Sequence, residues 1–419
     1  MKTKLLSAFF IWSMFVLSCK TPVNNESVSV LVSNSANKEY NELVLELKDK
    51  DFIQKVKMFD IEKLVAEVND TVVPMQLTIK ENELSSILVL LSISEKSSAK
   101  LSFKESDREL PVFKKRTQAE LSVKEEGEWV QVHKDSGVQQ YEYQGGKFVN
   151  VDYLRVPDKH TDHSFYIRYE GPGWESDKVG YRFYLDWRNA VDIYGKRTPE
   201  MVLQNVGQDG FESYHELQNW GMDILKVGGS LGIGSIGYWD GNSALRVAVT
   251  DSITCKILNN GIIRSSVKTK YYGWNDTKIP VDLKSIISID AGSRLTHQEI
   301  FISDVLDNLC TGIVKADLTE LLQPSESESE WTYLATFGKQ SLNNDNLGMV
   351  VFFRNSDLIE LTEDLHSKVI VLKPRDNKLE YYYGALWEMD DSEIKTIEDF
   401  KKYLDTELLK LNNPLTIKY

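Results

Sequence analysis

Cysteine is nearly missing from this chain: three residues in 419, the first of them at position 19. No spacing among them makes a metal or redox motif, so cysteine-based zinc or dithiol chemistry is excluded. Basic residues are in the minority, 49 against 63 acids, for a formal charge of -14. A surface that wraps nucleic acid needs basic stripes to displace counterions, and this composition does not supply them. It still allows a local positive pocket for a small anionic ligand. After the N-terminus no apolar run reaches the ~18 residues of a bilayer-spanning helix. A serine nucleophile elbow, a zinc-protease helix and a phosphate loop are all missing. What is present is 42% apolar residues with moderate charge, which excludes wholesale disorder. The length, against a usual ~150 residues per domain, points to two or three domains.

The N-terminus reads as an address. Lys2 and Lys4 precede an apolar stretch from Leu5 to Leu17, and Val16-Leu17-Ser18-Cys19 has the form of a bacterial lipoprotein processing site. The expectation is a signal peptide over 1–18, lipidation at Cys19, a polar tether over 19–27, and a periplasmic or outer-membrane-attached protein. Membrane contact is expected only through that lipid anchor. Cys255 and Cys310 each lie in an apolar stretch, as a disulfide in an oxidising compartment or as two buried thiols.

From Val28 onward apolar residues alternate with polar ones, as at Val28/Val30/Val32, Leu43/Leu45/Leu47 and Leu77/Ile79. This period of two predicts half-buried strands. The theme continues at 87–91, 121–123, 165–169, 180–185, 245–249, 262–270, 283–289 and 349–353, with turns predicted at 34–35, 125–127, 171–173, 240–242 and 290–292. One helix is predicted, over 397–411: Thr396 caps it, Glu398 and Asp399 suit its first turn, and Ile397, Phe400, Leu404, Leu408 and Leu411 share a face. The expected fold is all-β, with a smaller N-terminal β-sandwich over 28–112 and a larger one over 113–419 carrying the helix. The Ser-Glu run from Ser325 to Glu330 reads as a solvated loop.

Several side chains carry chemistry. Five of the twelve arginines (Arg155, Arg168, Arg182, Arg188, Arg197) fall between residues 155 and 197. Arginine forks onto carboxylate or sulfate, although neighbouring acids such as Glu170, Glu175, Asp177, Asp186 and Asp192 are the ordinary partners. Trp174, Trp187, Trp220, Trp239 and Trp274 crowd the overlapping stretch 174–274, and tryptophan offers a flat face suited to sugar rings as readily as to a core. Among six histidines, His215 lies in a polar stretch and can move a proton near neutral pH. His160 and His163 have a ligand-like spacing without a third partner, so no metal and no cofactor are expected. The run Gly232-Ile233-Gly234-Ser235-Ile236-Gly237 matches the dinucleotide fingerprint in letters only. A turn and a strand follow it where a helix N-terminus is required, so the glycines read as bulges or close backbone approaches.

The run from Tyr169 to Arg182 (YEGPGWESDKVGYR) resembles a family long catalogued as a domain of unknown function, which includes the ulvan-oligosaccharide dehydratase of marine bacteria. The likeness continues through 189–196, Tyr214-His215-Glu216, Gly221-Met222-Asp223, the glycines up to Trp239, 260–264, 290–293 and 383–387. Ser176 and Tyr194 replace the Asn and Trp of many relatives. The resemblance implies loss of water across C4 and C5 of a non-reducing-end uronic acid, leaving a 4,5-unsaturated sugar. The implied partner is an anionic oligosaccharide of uronic acid and sulfated rhamnose.

Removing the C5 proton places charge on the adjoining carboxylate, so a cation or strong donor must meet it there. A base must reach C5 and an acid must protonate the departing C4 hydroxyl, each contributing about 10²–10⁴-fold. By matching motif positions, the resemblance implies His215 as base, Arg182 as carboxylate clamp with Lys196 second, and Tyr214 as acid with Tyr272 behind it. Glu175, Asp177, Asp192 and Asp223 would orient these groups, and Trp174 and Trp239 would carry sugar rings. A polysaccharide lyase or glycoside hydrolase on similar sugars, or a glycan-binding lipoprotein without catalysis, would share many of these features.

Overall fold

The computed structural model describes residues 27–80, 83–132, 140–324 and 329–419. The leader, Cys19 and most of the Ser-Glu run lie outside these residues. The described chain is an all-β fold in which every sheet pairing between strands is antiparallel.

Near the N-terminus, Val28–Asn34, Ser97–Glu105, Leu64–Val68 and Thr71–Val73 form one sheet, and Tyr40–Leu47, Glu83–Ile93 and Met75–Lys80 form a second. Of the alternating residues, Val30, Val32, Leu45 and Leu47 point inward and, with Ile87, Val89, Leu101 and Phe103, make one shared core; Val28, Leu43 and Leu77 pack against it partly buried, and Ile79 is exposed. A short helix, Lys50–Val56, adds Phe52 and Ile53 to it and is capped by the Asp49 carboxylate on the Phe52 amide. Its seven residues span barely two turns, too short for a period of 3.6 to stand out.

The larger part is built on a nine-stranded sheet, ordered Tyr153–Arg155, Ser252–Asn260, Arg264–Trp274, Val281–Asp290, Leu295–Ile302, Lys378–Trp387, Asn346–Arg354, Trp331–Lys339 and Thr319–Leu322. Its strand Asn346–Arg354 is apolar on both faces because both are covered. Met349, Val351 and Phe353 enter the main core, while Val350 and Phe352 pack under helix Ile397–Asn412 with Phe400 and Leu404. That helix starts with a reciprocal Thr396–Asp399 capping box, as its sequence predicts. The main core is closed by two five-stranded sheets. One holds Gly221–Asp223, Val191–Lys196, Val179–Phe183, Gly173–Ser176 and Thr117–Glu120. The other holds Ala244–Arg246, Gly237–Trp239, Leu309–Val314, Ser367–Leu372 and Leu358–Glu363.

Four local expectations are corrected. Residues 165–169 form no strand: Phe165 and Tyr169 have positive φ, and Arg168–Glu170 is a 3₁₀ turn that buries Arg168 and Tyr169 against Glu120. The turn expected at 125–127 is a kink inside strand Ser122–Val132, taken up by Glu126 at φ 63°. Of 245–249 only the first two residues are strand, within Ala244–Arg246. The strand Thr416–Lys418, assigned by sequence to the larger domain, pairs with Val28–Asn34 in the N-terminal sheet. Cys255 and Cys310 are free buried thiols. Within the glycine-rich run, a Cβ on Gly232 would stand 2.0 Å from the Val191 carbonyl oxygen, and one on Gly234 2.2 Å from the Tyr383 ring. Both glycines mark close approach of backbone to neighbour, at positive φ.

Candidate active site

Strand parity builds the site. In the five-stranded sheet ending at Gly221–Asp223, Trp174, Tyr181, Ile193 and Met222 point into the main core. Their neighbours Glu175, Arg182, Asp192, Tyr194, Lys196 and Asp223 therefore point to the opposite face. Arg182 stands directly across from Asp192, and Tyr194 from Asp223. The chain leading to the last strand can pass close because residue 221 is glycine: at φ 135°, its Cβ would lie 1.7 Å from the Gly195 carbonyl oxygen. A lid of Val202, Leu203, Val206 and Tyr214, with Phe211 and Trp220, packs over this polar face.

Arg182 is the hub. Its Nη2 donates to Asp192 (2.8 Å), Asp223 (3.0 Å) and the Tyr184 hydroxyl (2.9 Å). Its Nη1 donates to the Tyr169 carbonyl (3.1 Å) and the Tyr214 hydroxyl (3.2 Å). The Tyr184 hydroxyl also donates to Asp192, and the Arg188 guanidinium covers the outer side of the Tyr184 ring at 4.0 Å. Arg188 in turn binds Asp186, Glu170 (2.8 Å) and Asp162 (2.8 Å).

His215 ends a 3₁₀ turn, Ser213–His215, above this network. Its Nε2 lies 3.5 Å from the Asp223 carboxylate and its ring 4.7 Å from that of Tyr214. Almost half of the imidazole is open to solvent, whereas Asp223 is buried. The close approach of the Asp223 carboxylate raises the His215 pKa above 6.5 against a smaller opposing effect of burial. Burial holds the Tyr214 phenol above its usual range despite the pull of Arg182, so Tyr214 is a neutral phenol. Burial and the nearby Asp223 charge push Asp192 up to about 7, with Arg182 opposing. Burial disfavours ionisation of Glu170, but Arg188 and Arg182 outweigh it and its carboxyl lies below the usual range.

The structure thus brings together His215, Tyr214, Arg182, Asp192 and Asp223. It separates the others. Lys196 is buried with its Nζ on Glu175 (2.6 Å) and the Ser176 carbonyl (2.7 Å), while Glu175 also accepts the Val202 and Leu203 amides. This pair ties the lid down and has no open side. Asp177 binds Arg116 and the Gly292 amide. Trp174 is fully buried and donates to Thr296, so it offers no face to a sugar. Trp239 packs against Leu231, Cys310 and Val371. Tyr272 stands opposite Ser252 near the end of its strand, beside Tyr271, which points inward to Asn189. Arg182 has no donor left for a ligand: all of them are taken by Asp192, Asp223 and the Tyr169, Tyr184 and Tyr214 oxygens. Tyr184 was not foreseen, although its place two residues after Arg182 puts it on the polar face.

Asp162, His163 and Glu170 converge closely enough to hold a metal ion, but Arg188 already supplies positive charge to both carboxylates. His160 turns away from His163 to bond Ser164 at 2.7 Å.

These features define an all-β protein in which a half-exposed histidine, set against a buried carboxylate, adjoins a buried tyrosine. The chain belongs to the domain-of-unknown-function family DUF4861, whose pattern it matches over residues 32–417. It is similar to the uncharacterized protein P7 of Formosa agariphila, 22% identical over 294 residues that cover 62% of this chain and 68% of that protein. Two solved structures from Enterococcus faecalis overlay on it at 9% identity. One is a protein of glycosyl hydrolase family 38, with TM-score 0.45, covering 94% of this chain and 47% of that one. The other is an alpha-mannosidase, with TM-score 0.40, covering 94% and 46% respectively. The chain therefore spans about half the length of these two proteins.

Proposed function

We propose that this protein is a dehydratase that removes water across C4 and C5 of a non-reducing-end uronic acid in ulvan-type oligosaccharides. The observation that carries the reading is the His215–Tyr214 pair: an accessible imidazole anchored on a buried carboxylate, beside a phenol kept protonated by its surroundings. Neutral His215 takes the C5 proton, and Asp223 stabilises the imidazolium that results. Tyr214 gives its proton to the departing C4 hydroxyl. Arg182 donates to the Tyr214 oxygen, which eases release of that proton by stabilising the phenolate left behind. The sequence resemblance supports the same reading, and the leader ending at Cys19 would place the activity on an exported lipoprotein.

The test is incubation with saturated ulvan oligosaccharides of defined length, followed by mass spectrometry and ultraviolet detection. The expected product has lost one water, keeps its chain length, and absorbs as a conjugated enol ether. Two shorter chains would instead mean a lyase or hydrolase, and unchanged oligosaccharide that binds the protein would mean a glycan-binding module.

A further inference from the structure

The catalytic cluster does not itself carry a surplus of positive charge. Arg182 and Arg188 face Asp162, Glu170, Asp186, Asp192 and Asp223. An anionic sugar must find its cation elsewhere, and the arginines show where. Of the twelve in the chain, nine have a carboxylate within 4.0 Å. Among the described residues, Arg108, Arg197 and Arg246 do not. The first two are exposed and solvated, while Arg246 is half-buried.

Arg246 ends the strand Ala244–Arg246. Only its Nη1 is engaged, by the carbonyls of Gly228 (3.2 Å) and Ser230 (3.1 Å). Its Nε and Nη2 donors meet no acceptor among the described residues, and these two nitrogens form the edge that grips an oxyanion with parallel hydrogen bonds. The guanidinium lies 5.9 Å from the ring of Trp187, and Trp187 is 53% exposed. A guanidinium edge with two free donors beside an exposed indole face can hold an anionic group and support the ring that carries it. Burial, with Arg188 nearby, lowers the Arg246 pKa, as expected for a charge lacking its counterion, although Asp186 opposes this. Trp187 is joined by the chain to Arg188, whose guanidinium binds Asp186 and Glu170 and covers the Tyr184 ring, so the pair borders the catalytic cluster.

We infer that Arg246 and Trp187 form a substrate subsite, the guanidinium gripping a carboxylate or sulfate ester of the sugar and the indole supporting its ring. This deepens the proposed function and rests on it for the identity of the sugar. The pair sets affinity and leaves proton transfer to His215 and Tyr214.

Calorimetry and turnover with ulvan oligosaccharides test the inference, using the wild type, Arg246→Ala and Trp187→Ala. Trp187→Ala removes an exposed side chain and keeps the fold intact even where Arg246→Ala loosens the 228–230 turn. Each variant is expected to weaken binding about tenfold or more, with kcat within about twofold of wild type. Binding of desulfated and of carboxyl-reduced oligosaccharides identifies the group held: the Arg246→Ala deficit disappears with whichever form lacks it. Binding by both variants within twofold of wild type, with every form, overturns the subsite. If wild type binds in an Arg246-dependent way and releases no water, the dehydratase reading falls while the subsite stands. If wild type dehydrates and both variants match it in KM, the subsite alone falls.

Discussion

Arg182 and Asp192 face each other across neighbouring strands, 2.8 Å apart, and each side chain is only 2% exposed. A buried ion pair contributes little net stability, because desolvation offsets the attraction, but removing one partner strands the other. Arg182→Met leaves Asp192 and Asp223 without their shared cation. The expected loss is about 3–5 kcal/mol, read as a lower denaturation midpoint, together with lost activity. A variant that folds as stably as wild type would mean that Arg182 is not the hub of this network.

His215→Ala removes a half-exposed ring that anchors no core, so the protein should melt within a few degrees of wild type. Product formation should fall about 10²–10⁴-fold, the usual worth of a positioned base. Unchanged turnover would remove His215 from the chemistry.

The pH profile follows from the same contact. A base must be neutral, and Asp223 holds the His215 pKa above 6.5, so kcat/KM should rise with pH through a midpoint above that value. Stability runs the opposite way. The raised folded-state pKa contributes stability that is fully present below the unfolded value and is lost as pH rises through the folded one. Asp223→Asn should move the activity midpoint downward, and an unmoved midpoint would mean that another group titrates.

Lys196 and Glu175 give a separate test of structural against catalytic roles. Lys196→Met should destabilise by about 3–5 kcal/mol through the uncompensated Glu175 charge. Lys196→Met with Glu175→Gln should recover much of that in denaturant titration, since the amide oxygen can still accept the Val202 and Leu203 amides. Activity should return with stability, whereas a ligand-binding Lys196 would leave the double variant inactive.

Much of this architecture was legible because a period of two shows in the letters. Val30, Val32, Leu45 and Leu47 declare their core face, and Thr396 with Phe400 and Leu404 declares the helix. The same alternation held information about Trp174 and Lys196. With Trp174 and Tyr181 pointing to one side, Glu175, Arg182 and Lys196 had to share the other, where like-sized opposite charges meet before any ligand does. Local letters could not show which arginine goes without a partner. Arg246 becomes distinctive only when the loop bearing Trp187 is folded against its strand, a relation between positions 59 residues apart. Nor could residues 165–169 reveal that Arg168 and Tyr169 would turn inward to a distant Glu120.

The pairing of Thr416–Lys418 with Val28–Asn34 has a bearing on biogenesis. During translation the edge of the first sandwich stays unsealed until residues 416–418 have emerged. Truncations or bulky fusions near residue 418 should therefore be felt first at the opposite end of the sequence, as an exposed edge prone to self-association.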